Sequence, residues 1–312
     1  MYECPLKVFP RFRELGASVC GVTCELPLRA LKTRHQLIMR RPRWTDMTND
    51  FSPYFGTDIV KALQQARDEQ VAALADLPGA VVHARTFSSD DPAKLGWGHL
   101  KRIMSEEGMV TLRGADEATV EIAKEKLSDF DPKLHIWDLF MADAEIIRDV
   151  CGTIVQGGRP DGVTRISDGA MTPQKAQEVQ AFLTDQGVSP FSTDALLGKL
   201  FPARLISLQN AEGKVVAAGF AAMTHNRHSP FYESAWVGLI AVDPTLRGLG
   251  LGKYMDALCN LVAVDELGAI STMEFVAQDN APSRAMLESC GLKQVAAKSV
   301  VMFSTSTDRI TK

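Results

Sequence analysis

The sequence has no excess of positive charge and no long apolar segment. It contains 34 Lys and Arg residues against 38 Asp and Glu residues, which gives a formal net charge of -4. Nucleic acids and anionic membranes favour a basic surface, so neither is predicted as a partner. No apolar run approaches the roughly 20 residues that span a bilayer. The first residues also lack a basic segment followed by an apolar one, so we expect no signal peptide and a cytoplasmic location.

Cysteine is sparse and scattered along the chain. The six residues are Cys4, Cys20, Cys24, Cys151, Cys259 and Cys290. Only Cys20 and Cys24 lie close together, and no His or second Cys pair is placed to complete a zinc site. The sequence therefore predicts reduced thiols and no bound metal.

The length of 312 residues suits two domains of roughly 150 residues each, and hydrophobic residues make up 46% of the chain. The segment Gln156–Gly162 contains three Gly and one Pro, which is typical of a linker. We therefore predict an N-terminal α/β domain over residues 1–158 and a second domain over residues 159–312.

Strand-like and helix-like segments alternate in the first of these predicted domains. The predicted strands are Ala17–Leu26, Gln36–Met39, Ala80–Phe87, Met109–Leu112 and Leu134–Met141. The predicted helices are Asp58–Leu77, which Pro78 and Gly79 end, Asp116–Leu127 and Ala142–Val150. In the second domain, the order of elements from Val163 to Ser304 is predicted as β-α-α-β-β-β-α-β-α-β.

A glycine-rich turn joins a strand that ends at Val242 to a helix that begins near Leu251. An Asp-Pro pair ends the strand, and Arg247 is followed by glycines at alternate positions, Gly248, Gly250 and Gly252. Glycine allows positive φ and a close approach of the backbone to a ligand. The first N–H groups of a helix have no internal partner and carry partial positive charge. The turn therefore predicts a phosphate or pyrophosphate site, whereas the alternative is a turn that only connects two elements.

Three kinds of phosphate-binding turn can be compared with this segment. A Walker loop needs Ser or Thr after its Lys, but Tyr254 follows Lys253 here. A Rossmann turn needs G-x-G-x-x-G, and the third glycine of this turn is misplaced. The pattern R-x-x-G-x-G after a strand that ends in V-x-P fits at every position.

This pattern resembles the acetyl-CoA signature of the GNAT superfamily of N-acetyltransferases. A companion motif follows at a fitting distance, since Phe275–Ser283 contains Asn280-Ala-Pro-Ser283 and the next helix closes on Gly291 and an apolar residue. The resemblance covers the second half of the chain. It implies an α/β (α+β) fold with a mixed, splayed central sheet flanked by helices, the acyl-CoA N-acyltransferase fold.

The resemblance also implies acetyl-CoA as cosubstrate, with its pantetheine in a gap between two parallel strands. The implied binding residues are Leu239, Ile240, Ala241 and Val242 of the first strand, Arg247, Gly248, Leu249, Gly250, Leu251, Gly252 and Lys253 of the turn, and Asn280 and Ser283 of the companion motif. Backbone N–H groups of the strand can also polarise the thioester carbonyl. For Asn280, the alternative or additional role is a helix N-cap.

The reaction implied by the resemblance is acyl transfer to an amine, whose free pKa is near ~10 and which must lose a proton before attack. Glu233 is the first candidate for the general base, and His228 and His225 are the next, although each can equally be an ordinary loop residue. Family members often supply a Tyr that protonates the leaving thiolate, and Leu287 occupies that position here. Ser289 and Cys290 are nearby substitutes for that acid.

The acceptor is predicted to be a primary amine of a small molecule, and we expect its site near the junction of the two halves. A CoA-binding regulatory module without turnover and an acetyltransferase that acts on protein N-termini or lysines are the alternatives. The N-terminal half is either a degenerate GNAT-like domain or an unrelated α/β domain, and the sequence leaves a homodimer open.

Overall fold

The computed structural model describes residues 52–306, apart from the side chain of Asp168. The strands predicted at Ala17–Leu26 and Gln36–Met39 lie outside these residues. The helices of the described part are α1 (Asp58–Leu74), α2 (Pro92–Leu95), α3 (Trp97–Glu107), α4 (Glu117–Lys126), α5 (Ala144–Gln156), α6 (Pro173–Asp185), α7 (Thr193–Leu196), α8 (Leu251–Asp265) and α9 (Ala281–Ser289). The strands are β1 (Ser88–Ser89), β2 (Met109–Ala115), β3 (Lys133–Asp143), β4 (Thr164–Arg165), β5 (Ala203–Gln209), β6 (Val215–Ala222), β7 (Ser234–Val242), β8 (Ser271–Ala277) and β9 (Lys293–Ser304).

Local side chains define the starts of most of these helices. The hydroxyl of Thr57 accepts a hydrogen bond from the backbone of Val60, and Asp116 accepts one from Thr119, so both residues are N-caps. Thr172 caps α6 in the same way, with Pro173 as the first helical residue. The start of α6 was therefore readable from its Thr-Pro pair.

The order of elements from β4 to β9 is the predicted one, and the mixed sheet flanked by helices is confirmed. The strand predicted at Ala80–Phe87 was wrong. Only single bridges form there, at Ala80 and Val81, and the next regular strand is β1. The segment is buried because it folds across the end of the sheet: the backbone of Val81 bonds to Ser88, and that of Val82 bonds to Thr224. Burial, and not a sheet ladder, explains its apolar composition.

One sheet contains all nine strands of the described residues, in the order β1-β2-β9-β3-β8-β7-β6-β5-β4. The neighbours are antiparallel except for the parallel pairs β1–β2 and β7–β8. Strand β3 lies between β8 and β9, although it precedes both by more than a hundred residues of chain. A division at residue 158 therefore divides the chain and not the sheet.

Apolar side chains cover both faces of the sheet. On one face, α6 and α7 pack over β5, β6 and β7, with Phe182, Phe191 and Phe220 in the core. On the other face, α5, α8 and α9 pack together, with Phe140 and Leu287 buried between them. Within the described part of the chain, no helix combines the length and the hydropathy that crossing a bilayer requires.

Candidate active site

The strands β7 and β8 separate near the middle of the sheet. Their parallel pairing covers three residues of each strand, Ser234–Trp236 against Ser271–Met273, and it stops there. Both strands continue, to Val242 and to Ala277. A cleft therefore opens between them toward the ends of the two strands, and it leaves one edge of β7 without a paired strand over residues 237–242.

An irregularity in β7 lies beside this cleft. Gly238 pairs with Phe220 and Ala241 pairs with Ala218, so β7 has one residue more than β6 between these pairs. Such a β-bulge redirects the backbone locally. Leu239 lies in the bulge with a φ of 56°, which is uncommon for a residue with a branched side chain. Strained backbone of this kind is often found at functional sites.

The glycine-rich turn follows the end of β7 and opens α8. Gly248 and Gly250 have φ values of 79° and 80°, so the turn needs glycine at both positions. Gly250 is the N-cap of α8, and among the described residues no side chain caps the first N–H groups of the helix. A Cβ atom at Gly248 or Gly250 would meet no heavy atom of the described residues within 4 Å. The backbone donors at this helix start can therefore be approached closely, which suits a pyrophosphate.

Arg247 lies at the surface beside this turn. Its Nη2 donates to Oε1 of Gln186 at 3.2 Å, and its Nε donates to the carbonyl of Val242 at 3.4 Å. No carboxylate among the described residues forms an ion pair with it. The guanidinium thus keeps an unneutralised charge next to the helix start, and this charge favours an anion there.

The companion motif lies on the β8 side of the cleft. Asn280 caps α9, since its side chain accepts a hydrogen bond from the backbone of Ser283 at 3.2 Å. Asn280, Ser283 and Leu287 all line the cleft. Asn280 therefore has the capping role, and its position at the cleft agrees with the cofactor role as well.

The cleft widens into a cavity of about 250 Å³. Leu239 and Ile240 of β7 line one side of it, and Phe275 of β8 lines the other. The indole ring of Trp236 lies across Gly238, where a Cβ atom would be 2.4 Å from the ring. Glycine at position 238 therefore lets the ring form part of the cavity wall.

Another part of the wall comes from the chain before residue 158. Its polar lining residues are Arg85, Thr86, Ser88, Thr111 and Arg113. Residues from both sides of the predicted linker thus line one cavity. The sequence analysis missed these residues because no motif marks them, although an Arg inside the apolar strand Met109–Ala115 was a usable signal.

Burial changes the ionisation of the two arginines. Desolvation lowers the pKa of Arg85 to about 10. Desolvation, together with the nearby charge of Arg85, lowers the pKa of Arg113 to about 9, and Asp90 acts in the opposite direction. Both values lie above neutrality, so both guanidinium groups are positive at pH 7.

A buried carboxyl pair lies beneath β8. Glu274, which lines the cavity, accepts a hydrogen bond from Nδ2 of Asn260 in α8 at 2.9 Å. Burial, and next the charge of Asp256, raises the pKa of Glu274 well above its usual range. Burial raises the pKa of Asp256 to about 6. The neutral form of Glu274 is therefore favoured, and this carboxyl group offsets little of the positive charge in the cavity.

The predicted general bases lie away from this cavity. Glu233 is exposed and precedes β7 at its paired end, where its carbonyl accepts from the backbone of Ile270. His228 is a surface loop residue with Nε2 3.9 Å from Asp76. His225 is buried, and desolvation lowers its pKa well below the usual value. The structure does not bring Glu233 or His228 to the cavity, and their catalytic role stays a prediction.

Within the described residues, no group of three or more His, Cys, Asp and Glu side chains could hold a metal ion. The other predicted cofactor residues lie together at the end of β7: Ala241 and Val242 in the strand, and Leu249, Leu251, Gly252 and Lys253 in the turn and the first turn of α8. The side chain of Leu249 is 63% exposed, whereas that of Leu251 is buried in the core. The backbone of this segment, more than its side chains, is thus available to a ligand.

Comparison with known proteins agrees with this geometry. Residues 189–292 match the model of the acetyltransferase (GNAT) family, so this part of the chain is a GNAT domain. A Drosophila protein of solved structure resembles 79% of this chain over 89% of its own length, with 14% sequence identity and a TM-score of 0.50. A GCN5-related N-acetyltransferase from Kribbella flavida resembles 80% of this chain over 96% of its own length, with 14% identity and a TM-score of 0.49. At such identities the likeness concerns the fold alone. A comparison with curated proteins gives no match.

Proposed function

We propose that this protein transfers an acetyl group from acetyl-CoA to the primary amine of a small molecule. One observation carries the proposal: the unpaired edge of β7 runs between a helix start suited to a pyrophosphate and a small cavity lined by both polar and apolar side chains. The match of residues 189–292 to the acetyltransferase family supports the same reaction class.

The donor end of this cleft fits a CoA thioester. The open backbone at Gly248 and Gly250 leaves space for a pyrophosphate against the start of α8, and Arg247 adds a full charge. The edge of β7 between Val237 and Val242 offers backbone groups for an extended pantetheine chain. When bound there, acetyl-CoA supplies the activated acyl group, and N–H groups near the bulge at Leu239 can stabilise negative charge on its carbonyl oxygen.

The acceptor end favours a small molecule. The cavity is small, about 250 Å³, and side chains of three strands, Trp236, Phe275 and Arg113, line it. A small site of this kind limits the size of the acceptor and can hold an amine close to the bulge of β7. The amine must lose a proton before it attacks, either to a side chain or through water. Leu287 lines the cleft and cannot donate a proton, so the thiolate leaves without help from a phenol at this position.

The donor end can be tested with one substitution and a matched control. Gly250→Asp puts a carboxylate against the pyrophosphate site, whereas Gly268→Asp introduces the same change at a glycine with a similar φ, 74°, beyond the far end of α8. Beyond the neighbouring residues, no heavy atom of the part of the chain that the structure describes lies within 4 Å of either added Cβ. We expect calorimetry to show no binding of acetyl-CoA to the first variant and unchanged binding to the second.

Turnover is measured as thiol release from acetyl-CoA over a panel of small amines, peptides and proteins. We expect release with small amines and none above background with lysine-containing peptides. Unchanged acetyl-CoA affinity of Gly250→Asp would contradict the donor site. Release with protein substrates alone would contradict the small-molecule acceptor.

A further inference from the structure

Arg85 and Arg113 form the part of the cavity wall that faces the paired end of β7 and β8. The guanidinium carbon of Arg85 lies 6.0 Å from the centre of the Trp236 ring, and that of Arg113 lies 5.1 Å from the centre of the Phe275 ring. Arg85 is partly exposed within the cavity, and Arg113 is only 6% exposed. Two cations are thus held at one end of a small cavity, against aromatic rings. We call these two residues the arginine pair.

The arginine pair lacks the carboxylate partners that two other buried or half-buried arginines of the described residues have. Arg67 forms an ion pair with Glu107, and Arg284 forms one with Asp138. In the same residues, neither Arg85 nor Arg113 has a carboxylate oxygen within 4 Å. A buried charge without a partner is strongly unfavourable, so a partner from outside the chain would offset a large desolvation cost.

The hydrogen-bonding capacity of this end of the cavity consists largely of unused donors. Arg113 donates from Nη1 to the hydroxyl of Thr224 at 3.1 Å, but its buried Nε has no partner among residues 52–306. Within the same residues, the indole Nε1 of Trp236, which is 4% exposed, has none either. The nearby hydroxyls of Thr86 and Thr111 bond to each other at 2.8 Å. Unused donors with positive charge select an anion.

The charged groups on the neighbouring elements leave the net charge around the arginine pair positive. Asp90 faces Arg113 from the loop after β1, and burial raises the pKa of its carboxyl group while Ser229 and Arg113 oppose that rise. The buried Glu274 favours its neutral form, as described above. His225, near Arg113, also stays neutral because burial lowers its pKa. Even an ionised Asp90 supplies only one negative charge against two positive ones, so the arginine pair keeps a net positive charge.

The position of the pair separates it from the phosphate site of the donor end. Trp236 and Val242 are six residues apart on β7, which corresponds to roughly 20 Å at the rise of an extended strand. The glycine-rich turn lies beyond Val242. The bulge at Leu239 lies between the two sites. An anion at the arginine pair is thus on the far side of the reacting position from the CoA phosphates.

We infer that the arginine pair binds a carboxylate of the acceptor, so that the acceptor is an amino acid whose amine points toward the bulge of β7. This inference rests on the proposed acyl transfer and names its substrate class. A planar carboxylate matches the fork of a guanidinium, and the aromatic rings leave the edges of both guanidinium groups for such contacts. The pair would hold the substrate by its carboxylate and so direct the amine.

The test compares amino acids with their amides, which keep the shape and the amine but lose the negative charge. Glycine, alanine, phenylalanine and glutamate are each assayed beside the α-amide by thiol release from acetyl-CoA. For the wild-type protein we expect a KM at least about tenfold lower for the best acid than for its amide. Arg85→Gln should raise the KM for the acid about 10- to 100-fold and leave that of the amide within about threefold.

Controls separate this effect from a general loss of structure. Arg102→Gln changes an exposed arginine that pairs with Glu106 on α3, and it should leave both KM values unchanged. Arg113→Gln should act like Arg85→Gln, but its burial means that folding must be verified by thermal unfolding. Arg85 is partly exposed, so its variant keeps the test valid if Arg113→Gln does not fold. Acetyl-CoA affinity, measured by calorimetry, should be unchanged in every folded variant.

Direct binding distinguishes failure of this inference from failure of the proposed function. Binding of each acid and amide to the CoA-saturated protein is measured by calorimetry. Acid binding that depends on Arg85, without turnover of any amine, would support the carboxylate site and reject acyl transfer. Equal use of acids and amides, unaffected by Arg85→Gln, would overturn the inference and leave the transfer intact.

The anion that the arginine pair binds could instead be a carboxylate on the acyl group of the donor. Succinyl-CoA, whose acyl group has a carboxylate, tests this alternative. If Arg85→Gln selectively impairs the use of succinyl-CoA with amide acceptors, the pair recognises the acyl group and the inference is wrong. If the variant loses amino acid acceptors with acetyl-CoA, the inference holds.

Discussion

The two ends of the cleft are built in different ways. The proposed donor end is one continuous segment, from the end of β7 through Arg247 and the glycines to the first turn of α8, and it offers mainly backbone groups to a ligand. The acceptor end gathers side chains from distant parts of the chain, such as Arg85, Arg113 and Phe275. A backbone site needs a local pattern of glycines, whereas a side-chain site needs the complete sheet.

This difference explains how each end can vary. A side chain at Gly248 or Gly250 strains the backbone, because both residues have a positive φ. At the acceptor end the surrounding strands fix the wall, so a partly exposed side chain such as Arg85 can be exchanged with less effect on the fold. We therefore expect substitutions at the donor end to remove cofactor binding, and those at the acceptor end to change which amine is used.

A change in β3 tests the comparison of the two ends of the cleft most strongly. This strand comes from the part of the chain before residue 158 and pairs with β8 and β9 from the part after it. Phe140 lies on β3 and is fully buried against α5, α8 and α9. Phe140→Ala should lower the free energy of unfolding by about 3–5 kcal/mol, through lost burial and a cavity. It should also lower the midpoint of one shared thermal transition, followed by circular dichroism and by intrinsic fluorescence.

The matched control for Phe140→Ala is Ile136→Ala, on the same strand, where the side chain is 43% exposed. We expect Ile136→Ala to lower the free energy of unfolding by well under half as much as Phe140→Ala does. Two separate transitions in the Phe140→Ala protein would show that the two ends of the cleft do not depend on one sheet.

A second change tests whether the donor end contains an acid at the position of Leu287. This residue is 3% exposed in α9 and packs in the core beneath the cleft. Leu287→Ala should therefore cost about 2–4 kcal/mol of stability, measured by urea unfolding. The turnover number of the folded variant should stay within about threefold of wild type.

Glu288→Ala, an exposed change on the same helix, is the control and should leave both stability and turnover nearly unchanged. If Leu287→Ala is fully stable but loses turnover with acetyl-CoA binding intact, the residue has a chemical role and not a packing role.

The smallest expected effect is on the pH dependence of stability, and it concerns the buried carboxyl pair Asp256 and Glu274. Burial raises the pKa of Asp256 to about 6 from 3.8, so the unfolded chain releases this proton at lower pH than the folded protein does. The wild-type protein therefore loses stability as pH rises from about 4 to 6. Asp256→Asn has no such proton, so its stability relative to wild type should rise by about 2 kcal/mol between pH 4 and pH 7.

Asp265→Asn is the control for this pH series, because Asp265 is an exposed residue of the same helix that pairs with Arg148. Its stability relative to wild type should change little over the same range. Parallel pH profiles for Asp256→Asn and wild type, from urea unfolding at each pH, would contradict the raised pKa.

The local structure of the proposed donor end could be predicted from the sequence because it depends on neighbouring residues. The glycines near Arg247 and the cap at Asn280 act within a few residues of where they stand, and the structure places them as the pattern indicated. The order of elements from Thr164 onward followed from periodicity for the same reason. Residues 80–87 were wrongly predicted as a strand, because apolar composition alone does not distinguish a strand from a buried loop.

The acceptor end could not be predicted because it depends on strand order. Nothing local to Arg113 indicates that Phe275, more than 150 residues later, lies beneath its guanidinium. The insertion of β3 between β8 and β9 is equally non-local, and it determines which side chains meet at the cavity. Long-range register of this kind is weakly encoded in any short window of sequence.

The place of β9 in the sheet also bears on how the chain folds during synthesis. Its residues pair with both β2 and β3, and Ser299 donates to the carbonyl of Ala115 across 184 positions of chain. Val301 and Phe303 complete the core that α3 and α4 cover. That core therefore stays incomplete until the ribosome has synthesised all residues between β2 and β9. Contacts between residues so far apart in the sequence form slowly. A nascent chain that stops before β9 would leave the apolar surface of β2 exposed.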